Sequence, residues 1–226
     1  MKVTSFLLLA SLVVLTNVGC VSESERAFEH NSVVAVAIHI RIPGVAESEY
    51  TGTGVFLGSD GLVLTARHVA QAGLTTLSIE PELEVCVVFG GNIMACKLAT
   101  IVAISPDADV ALLRADLPDL GPTMLRPDAL PMREAEEVYA RLTFGLYLPP
   151  SLAYGRYLGT DPVGDDVYDL AAMPGSSGGP VFDLQGRLVG IVSSVSILPG
   201  RSLTFTVPSR AILKFLGANQ ELLKRK

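Results

Sequence analysis

Val34, Val36, Ile38, Ile40 and Ile42 alternate with smaller or polar residues. A period of two marks a strand with one buried face, and it turns His39 and Arg41 to the other face. Short apolar runs at 55–58 and 62–65 flank Ser59-Asp60-Gly61, a hairpin turn signal. Further strands are predicted over 84–89, 93–104 and 110–113. Pro118, Pro122, Pro127 and Pro131 then break the pattern and read as a linker. Beyond it, strands are predicted over 137–144, 152–157, 167–171, 180–183, 188–195 and 202–207. Many short strands at regular spacing, punctuated by glycine and proline, specify an all-β barrel or sandwich. The halves on either side of the linker are similar in length, which suggests two barrels. After Pro208 the period changes: Ile212, Phe215, Leu216 and Leu223 share roughly one side of a helix, with Leu222 beside them. Ser209 is placed to cap that helix, whose apolar stripe is expected to pack on the second barrel.

The chain has 226 residues, 49% hydrophobic and 18% charged, which is enough apolar material for a sizeable core. A net charge of −6 argues against a nucleic-acid partner. Part of the hydrophobicity belongs to the start of the chain. Lys2 precedes an unbroken run of apolar and small residues over 6–15, and Asn17-Val18-Gly19-Cys20 follows. This reads as a secretory signal over 1–19 rather than a buried helix, and the run is too short to span a bilayer. Gly19-Cys20 resembles the lipobox of bacterial lipoproteins, with Asn17 where that motif usually carries leucine. The resemblance implies a lipidated Cys20 and a polar tether over 20–31; the alternative is cleavage there without lipid. Either way the protein is exported to the bacterial envelope or beyond.

Cys86 and Cys96 lie symmetrically about Gly91. A three-residue hairpin loop over 90–92 sets them opposite each other, and export permits a disulfide. Two buried thiols are the alternative reading.

The sequence concentrates its chemistry in Pro174-Gly175-Ser176-Ser177-Gly178-Gly179-Pro180, a serine in a glycine turn between apolar stretches. A serine hydroxyl becomes a nucleophile when a base takes its proton and backbone N–H groups receive the oxyanion. The base must be one of three histidines: His30, His39 or His68. His68 follows a strand in Leu64-Thr65-Ala66-Arg67-His68-Val69, and Asp109 precedes one in Asp107-Ala108-Asp109-Val110-Ala111-Leu112-Leu113. An α/β-hydrolase needs its histidine after the serine, and none follows Ser177. A subtilisin-type order needs an aspartate well before the histidine; only Asp60 precedes His68, as a turn residue.

In this order the three motifs resemble the trypsin-like (chymotrypsin-fold) serine peptidases, above all the HtrA/Deg-type protease domain. Thr65-Ala66-Arg67-His68 is similar to the family's Thr-Ala-x-His, Asp107 to Leu113 to its Asp-x-Asp-(apolar)-Ala-Leu-Leu, and Gly175 to Pro180 to its Gly-x-Ser-Gly-Gly-Pro. Phe205-Thr206-Val207-Pro208-Ser209 is similar to the Deg-type ending after the last strand. The likeness runs from about residue 32 to 215. It implies a double antiparallel β-barrel, each barrel of six strands, with a C-terminal helix. The first barrel would cover about 32–117, the linker 118–133, the second barrel 134–208 and the helix 209–224. It implies a triad of His68, Asp109 and Ser177, with Asp107 the rival carboxylate, and an oxyanion hole from the N–H groups of Gly175 and Ser177. The substrates would be proteins or peptides, with no cofactor and no metal-ligand cluster.

By the same resemblance Ala171, six residues before the nucleophile, floors the specificity pocket. Ile191-Val192-Ser193-Ser194-Val195, similar to the family's Ile-Val-Ser-Trp-Gly, walls it. Ser193 would lie near Asp109, and Val195 would narrow the entrance. No carboxylate awaits a buried Lys or Arg, so cleavage after small apolar residues is expected; alternatively Ala171 and Val195 are ordinary core residues. The acidic stretch 159–166 reads as a surface loop placed to gate the site. No Ile-Val-Gly-Gly start of the zymogen type follows the signal, and no PDZ domain is expected after the helix. The competing reading is a barrel that binds peptides with a latent triad.

Overall fold

The computed structural model describes residues 33–40, 48–58, 60–72, 82–89, 92–117, 123–127, 130–144 and 151–223. The expected signal segment 1–19, Cys20, the tether 20–31 and His30 lie outside the described residues. Twelve strands form two closed six-stranded barrels. The first is built from β1 (Val33–Ile40), β2 (Ser48–Phe56), β3 (Leu62–Thr65), β4 (Glu82–Phe89), β5 (Asn92–Ile104) and β6 (Ala111–Ala115), in the spatial order β1-β2-β3-β6-β5-β4. The second is built from β7 (Glu137–Leu142), β8 (Ser151–Thr160), β9 (Asp166–Leu170), β10 (Pro180–Asp183), β11 (Leu188–Leu198) and β12 (Arg201–Pro208), in the order β10-β11-β12-β9-β8-β7. Every pairing is antiparallel, and closure leaves neither barrel with an open edge. A single-turn helix, α1 (Arg67–Ala70), interrupts the first barrel between β3 and β4.

The strands beside the cleft are buried on both faces. In β2 and β3, Phe56 and Val63 point into the first barrel's core. Val55, Leu62 and Leu64 point the other way, into a cluster shared with Phe182, Leu188, Ile191 and Val207 of the second barrel. This seam explains why Leu62-Val63-Leu64-Thr65 is apolar without alternation: a strand with no solvent face needs none.

Several elements depart from the sequence expectation. β2 begins at Ser48, seven residues before its apolar stretch, because its polar N-terminal half pairs with β1 from Ile40↔Ser48 onward. Phe89 pairs with Asn92, so Asn92 belongs to β5 and not to the expected three-residue loop, whose other two residues lie outside the described ones. A bulge after Val87 absorbs the difference and keeps Cys86 opposite Cys96. The two sulfurs are bonded, and the Cα atoms lie 4.1 Å apart. The proline-rich segment is anchored: Leu125 bridges Leu188 in parallel, with Arg126 N–H on Leu188 O (2.9 Å) and Leu188 N–H on Met124 O (2.7 Å).

The C-terminal helix also differs. Ser209 is the first helical residue of α2 (Ser209–Ala218) and does not cap it; the extended Pro208 precedes it without a side-chain cap. Asn219 ends the helix with its side chain on Phe215 O, and α3 (Gln220–Leu223) is a separate short turn. Ile212 and Phe215 enter the seam cluster, and α2 lies against β11 and β12 of the second barrel, as expected.

Candidate active site

β3 delivers the chain through the extended Ala66 into α1. Val69 and Ala70 are buried and pin the turn, which leaves His68 half exposed at the cleft. Its backbone N–H donates to Asp109 Oδ1 (3.0 Å), and its ring Nδ1 lies 2.7 Å from Asp109 Oδ2. A carboxylate can only accept, so Nδ1 carries the proton, and in the neutral imidazole Nε2 is the nitrogen with the free lone pair.

Asp109 is held in a tight turn before β6. Ser105 Oγ accepts the N–H groups of Asp107 (3.3 Å) and Ala108 (3.2 Å), and Ser105 N–H donates to Val110 O (3.0 Å). Arg67, on the turn that carries His68, donates from Nη1 to Ser105 O (3.1 Å) and Pro106 O (3.2 Å). The histidine and aspartate turns are thereby tied together. Ser193 Oγ donates to Asp109 Oδ2 (2.7 Å). Ser193 is the unpaired residue of a bulge between Val192 and Ser194, which re-aims its side chain across the cleft. Burial, the largest influence on the Asp109 carboxyl, would raise its pKa. The hydrogen bonds from His68 Nδ1, Ser193 and the His68 N–H outweigh burial and hold the pKa below the usual aspartate value. Asp107 is exposed and faces Lys214 at 3.6 Å, so Asp109 is the carboxylate that reaches the imidazole.

The serine turn rests on two glycines with positive φ, Gly175 (96°) and Gly178 (82°). Ser176 is buried and closes the turn on Met173 twice: its N–H donates to Met173 O (2.9 Å), and its hydroxyl accepts Met173 N–H (3.1 Å). Gly178 N–H donates to Val192 O (2.7 Å), and Gly179 N–H to Ser176 O (2.8 Å). Thr53 N–H donates to Ser177 O (2.7 Å), which ties the turn to the first barrel. Two close approaches bring the serine turn against the segment that leads into α1. A Cβ on Gly178 would lie 2.8 Å from Ala66 N. A Cβ on Gly52 would meet Val69 Cγ1 at 2.6 Å and Ser177 O at 3.1 Å. Among the described residues, the N–H groups of Gly175 and Ser177 have no protein acceptor, whereas those of Ser176, Gly178 and Gly179 are all used.

The three pocket residues separate. Ser193 joins Asp109, and Val195 is half-buried against the second-barrel core that contains Ala172 and Val192. Ala171 is exposed and lines an open groove with Tyr154, Asp169, Leu184 and Arg201. The acidic loop forms a turn in which Asp161 Oδ1 accepts the N–H groups of Val163, Gly164 and Asp165. Burial raises the Asp165 carboxyl, and the charges of Asp161, Asp109 and Asp166 raise it further. Among the described residues, the one trio of metal-ligating types is Glu84, Cys86 and Cys96, whose sulfurs are bonded to each other. Sequence reasoning missed Thr53, Arg67 and Ser105, whose signals were a threonine between two glycines, a cation beside the histidine and a serine before a proline.

The family model described as "Trypsin-like peptidase domain" matches residues 52–191. "Probable periplasmic serine endoprotease DegP-like" of Pseudomonas putida is 32% identical over 177 residues, covering 72% of this chain and 33% of that protein. "Serine protease HTRA1A" of Danio rerio is 27% identical over 186 residues, covering 77% of this chain and 36% of its own length. This chain thus spans about a third of the length of these relatives. Among solved structures, "HtrA-type protease AlgW with decapeptide" superimposes with a TM-score of 0.67 at 21% identity, covering 87% of this chain and 65% of that one. That likeness shows the double-barrel fold.

Proposed function

The chain belongs to the trypsin-like peptidase family, and from that premise we propose that it is an exported serine endopeptidase working through Ser177, His68 and Asp109. The observation that carries the proposal is His68 held through its backbone N–H and its ring Nδ1 on one carboxylate, which makes Nε2 the ring nitrogen available to accept a proton. Ser177 Oγ attacks the scissile carbonyl while His68 Nε2 takes its proton, giving a tetrahedral oxyanion received by the N–H groups of Gly175 and Ser177. The imidazolium then protonates the leaving amine, and an acyl-enzyme remains on Ser177. Water, deprotonated by the same nitrogen, releases the acid and restores the serine. Asp109, ionised at neutral pH because its pKa is depressed, fixes the tautomer and balances the imidazolium.

The preferred residue before the scissile bond is small and apolar in this reading. This rests on Val195, whose side chain offers no carboxylate to a cation and narrows the wall; Ala171, exposed in the groove with Asp169, does not support it. The leader supports export to the envelope, with Cys20 as the lipidated anchor and 20–31 as the tether; the periplasmic naming of relatives is consistent with this.

A fluorophosphonate probe, mapped by mass spectrometry, tests the enzyme reading. The wild-type protein is expected to label at Ser177, and Ser177→Ala and His68→Ala to lower peptide hydrolysis by about 10⁴-fold or more. A folded chain that neither labels nor cleaves would instead be a peptide-binding barrel with an idle triad.

A further inference from the structure

Thr53 and Thr143 are fully buried and come from different barrels, Thr53 in β2 and Thr143 just past β7. Their hydroxyls lie 2.7 Å apart. Thr53 Oγ1 also donates to Gly175 O (2.8 Å) and accepts Thr143 N–H (3.2 Å), and Thr143 Oγ1 has a longer contact with Gly52 O (3.3 Å). Each hydroxyl has one proton and two lone pairs. If Thr53 spent its proton on Thr143, its oxygen would face the Gly175 carbonyl at 2.8 Å with no hydrogen between them. The arrangement that satisfies every short contact has Thr143 O–H donating to Thr53, and Thr53 O–H donating to Gly175. The same Thr53 holds Ser177 O with its backbone N–H and accepts Thr65 Oγ1–H on its carbonyl (2.8 Å), one strand-end away from His68.

Thr53 therefore grips the carbonyls of the two residues whose N–H groups are left unused. We propose that the Thr53–Thr143 hydroxyl pair is a positioning device that keeps the Gly175–Ser177 turn in its oxyanion-receiving orientation through a contact between the barrels. Its catalytic consequence rests on the peptidase reading above; its effect on the turn does not.

Paired substitutions separate hydroxyl from shape, since valine keeps the shape of threonine and serine keeps the hydroxyl. Thr53→Val is expected to lower kcat about 10- to 100-fold, less than deletion of an oxyanion donor itself, with KM changed less than about twofold. Thr53→Ser should stay within about threefold of wild type. Thr143→Val, which removes the donor that orients Thr53, should show a smaller loss that Thr143→Ser restores. The acid limb of the kcat/KM profile should not move, because the His68–Asp109 pair is untouched. A packing role alone would reverse the order, with valine active and serine impaired, and would overturn the proposal. Amide hydrogen exchange over 173–179 reads the turn without catalysis. It should accelerate about tenfold or more in Thr53→Val and not in Thr53→Ser, and unchanged exchange would sink the inference even in an active enzyme. A wild-type protein that fails to label defeats the peptidase reading and leaves exchange to decide this one. Should Thr53→Val not fold, the Thr143 pair decides.

Discussion

Gly178 has no room for a methyl group. A Cβ there would sit 2.2 Å from Thr53 O, 2.3 Å from Thr65 Oγ1 and 2.8 Å from Ala66 N, and the residue's φ is +82°. Two of those three atoms are backbone of the strands that carry His68 and hold Ser177, so relief requires the serine turn to retreat from the histidine. Gly178→Ala is expected to abolish fluorophosphonate labelling and lower the melting temperature. Gly200→Ala is the control: φ is +73° but nothing lies within 4 Å, so it should cost only backbone strain of about 1 kcal/mol and keep activity. Equal labelling by the two variants would mean that close approach at Gly178 is not what places Ser177. The sequence displayed His68, Asp109, Ser177 and Gly178 because short-range motifs carry them, and Ser193 followed from the resemblance of its strand. Thr53 and Thr143 could not be read that way. Their partners lie 90 and 122 residues away; the glycines flanking Thr53 are the one local signal, and they do not name a partner until the barrels are docked.

At the scale of elements, periodicity found strands where one face is wet and apolar runs found those in the seam, which is why β10 was bounded correctly over 180–183. It failed where pairing, not burial pattern, extends the strand, as at the polar start of β2 and the long end of β11. The turn between β8 and β9 shows what an element can do that its residues do not announce. Asp161 organises the turn by accepting three backbone N–H groups, which is an Asx-type role. The turn thereby holds Asp165 where its carboxyl feels Asp161, Asp109 and Asp166. Its pKa is raised in the fold, so ionisation is less favourable folded than unfolded, and stability falls as pH rises through the carboxylate range. Asp165→Asn is expected to raise the melting temperature at neutral pH and to change it little near about pH 3, where the carboxyl is protonated in both states. Thermal melts at the two pH values check this; a larger gain in acid would show that the side chain is paired favourably.

For the whole molecule, the cleft requires that two barrels keep one relative placement, and the segment between them is fastened by a charge cluster as well as by its bridge to β11. Arg126, buried, pairs with Glu136 and donates to Asp183 Oδ2 (3.3 Å), Leu130 O (2.7 Å) and Pro131 O (3.1 Å); Arg187 Nε reaches the same Asp183 oxygen at 2.8 Å. Burial alone would raise the Glu136 carboxyl, but the hydrogen bonds from Arg126 and from the Arg133 N–H outweigh it and hold the pKa down. A depressed carboxyl contributes stability that is present above its unfolded pKa and lost as pH falls through its folded one. Arg126→Met leaves Glu136 and the fully buried Asp183 without their shared cation, and Arg187 compensates only Asp183. Breaking a buried ion cluster from one side costs about 3–5 kcal/mol, so the urea midpoint should fall substantially at neutral pH and the difference from wild type should shrink in acid. Activity per folded molecule should persist below the new midpoint, since Arg126 touches neither the triad nor the serine turn. Thr53→Val is expected to behave oppositely, with rate lost and less stability given up. If Arg126→Met instead slowed catalysis at full stability, the linker would be setting the cleft rather than merely securing the barrels that form it.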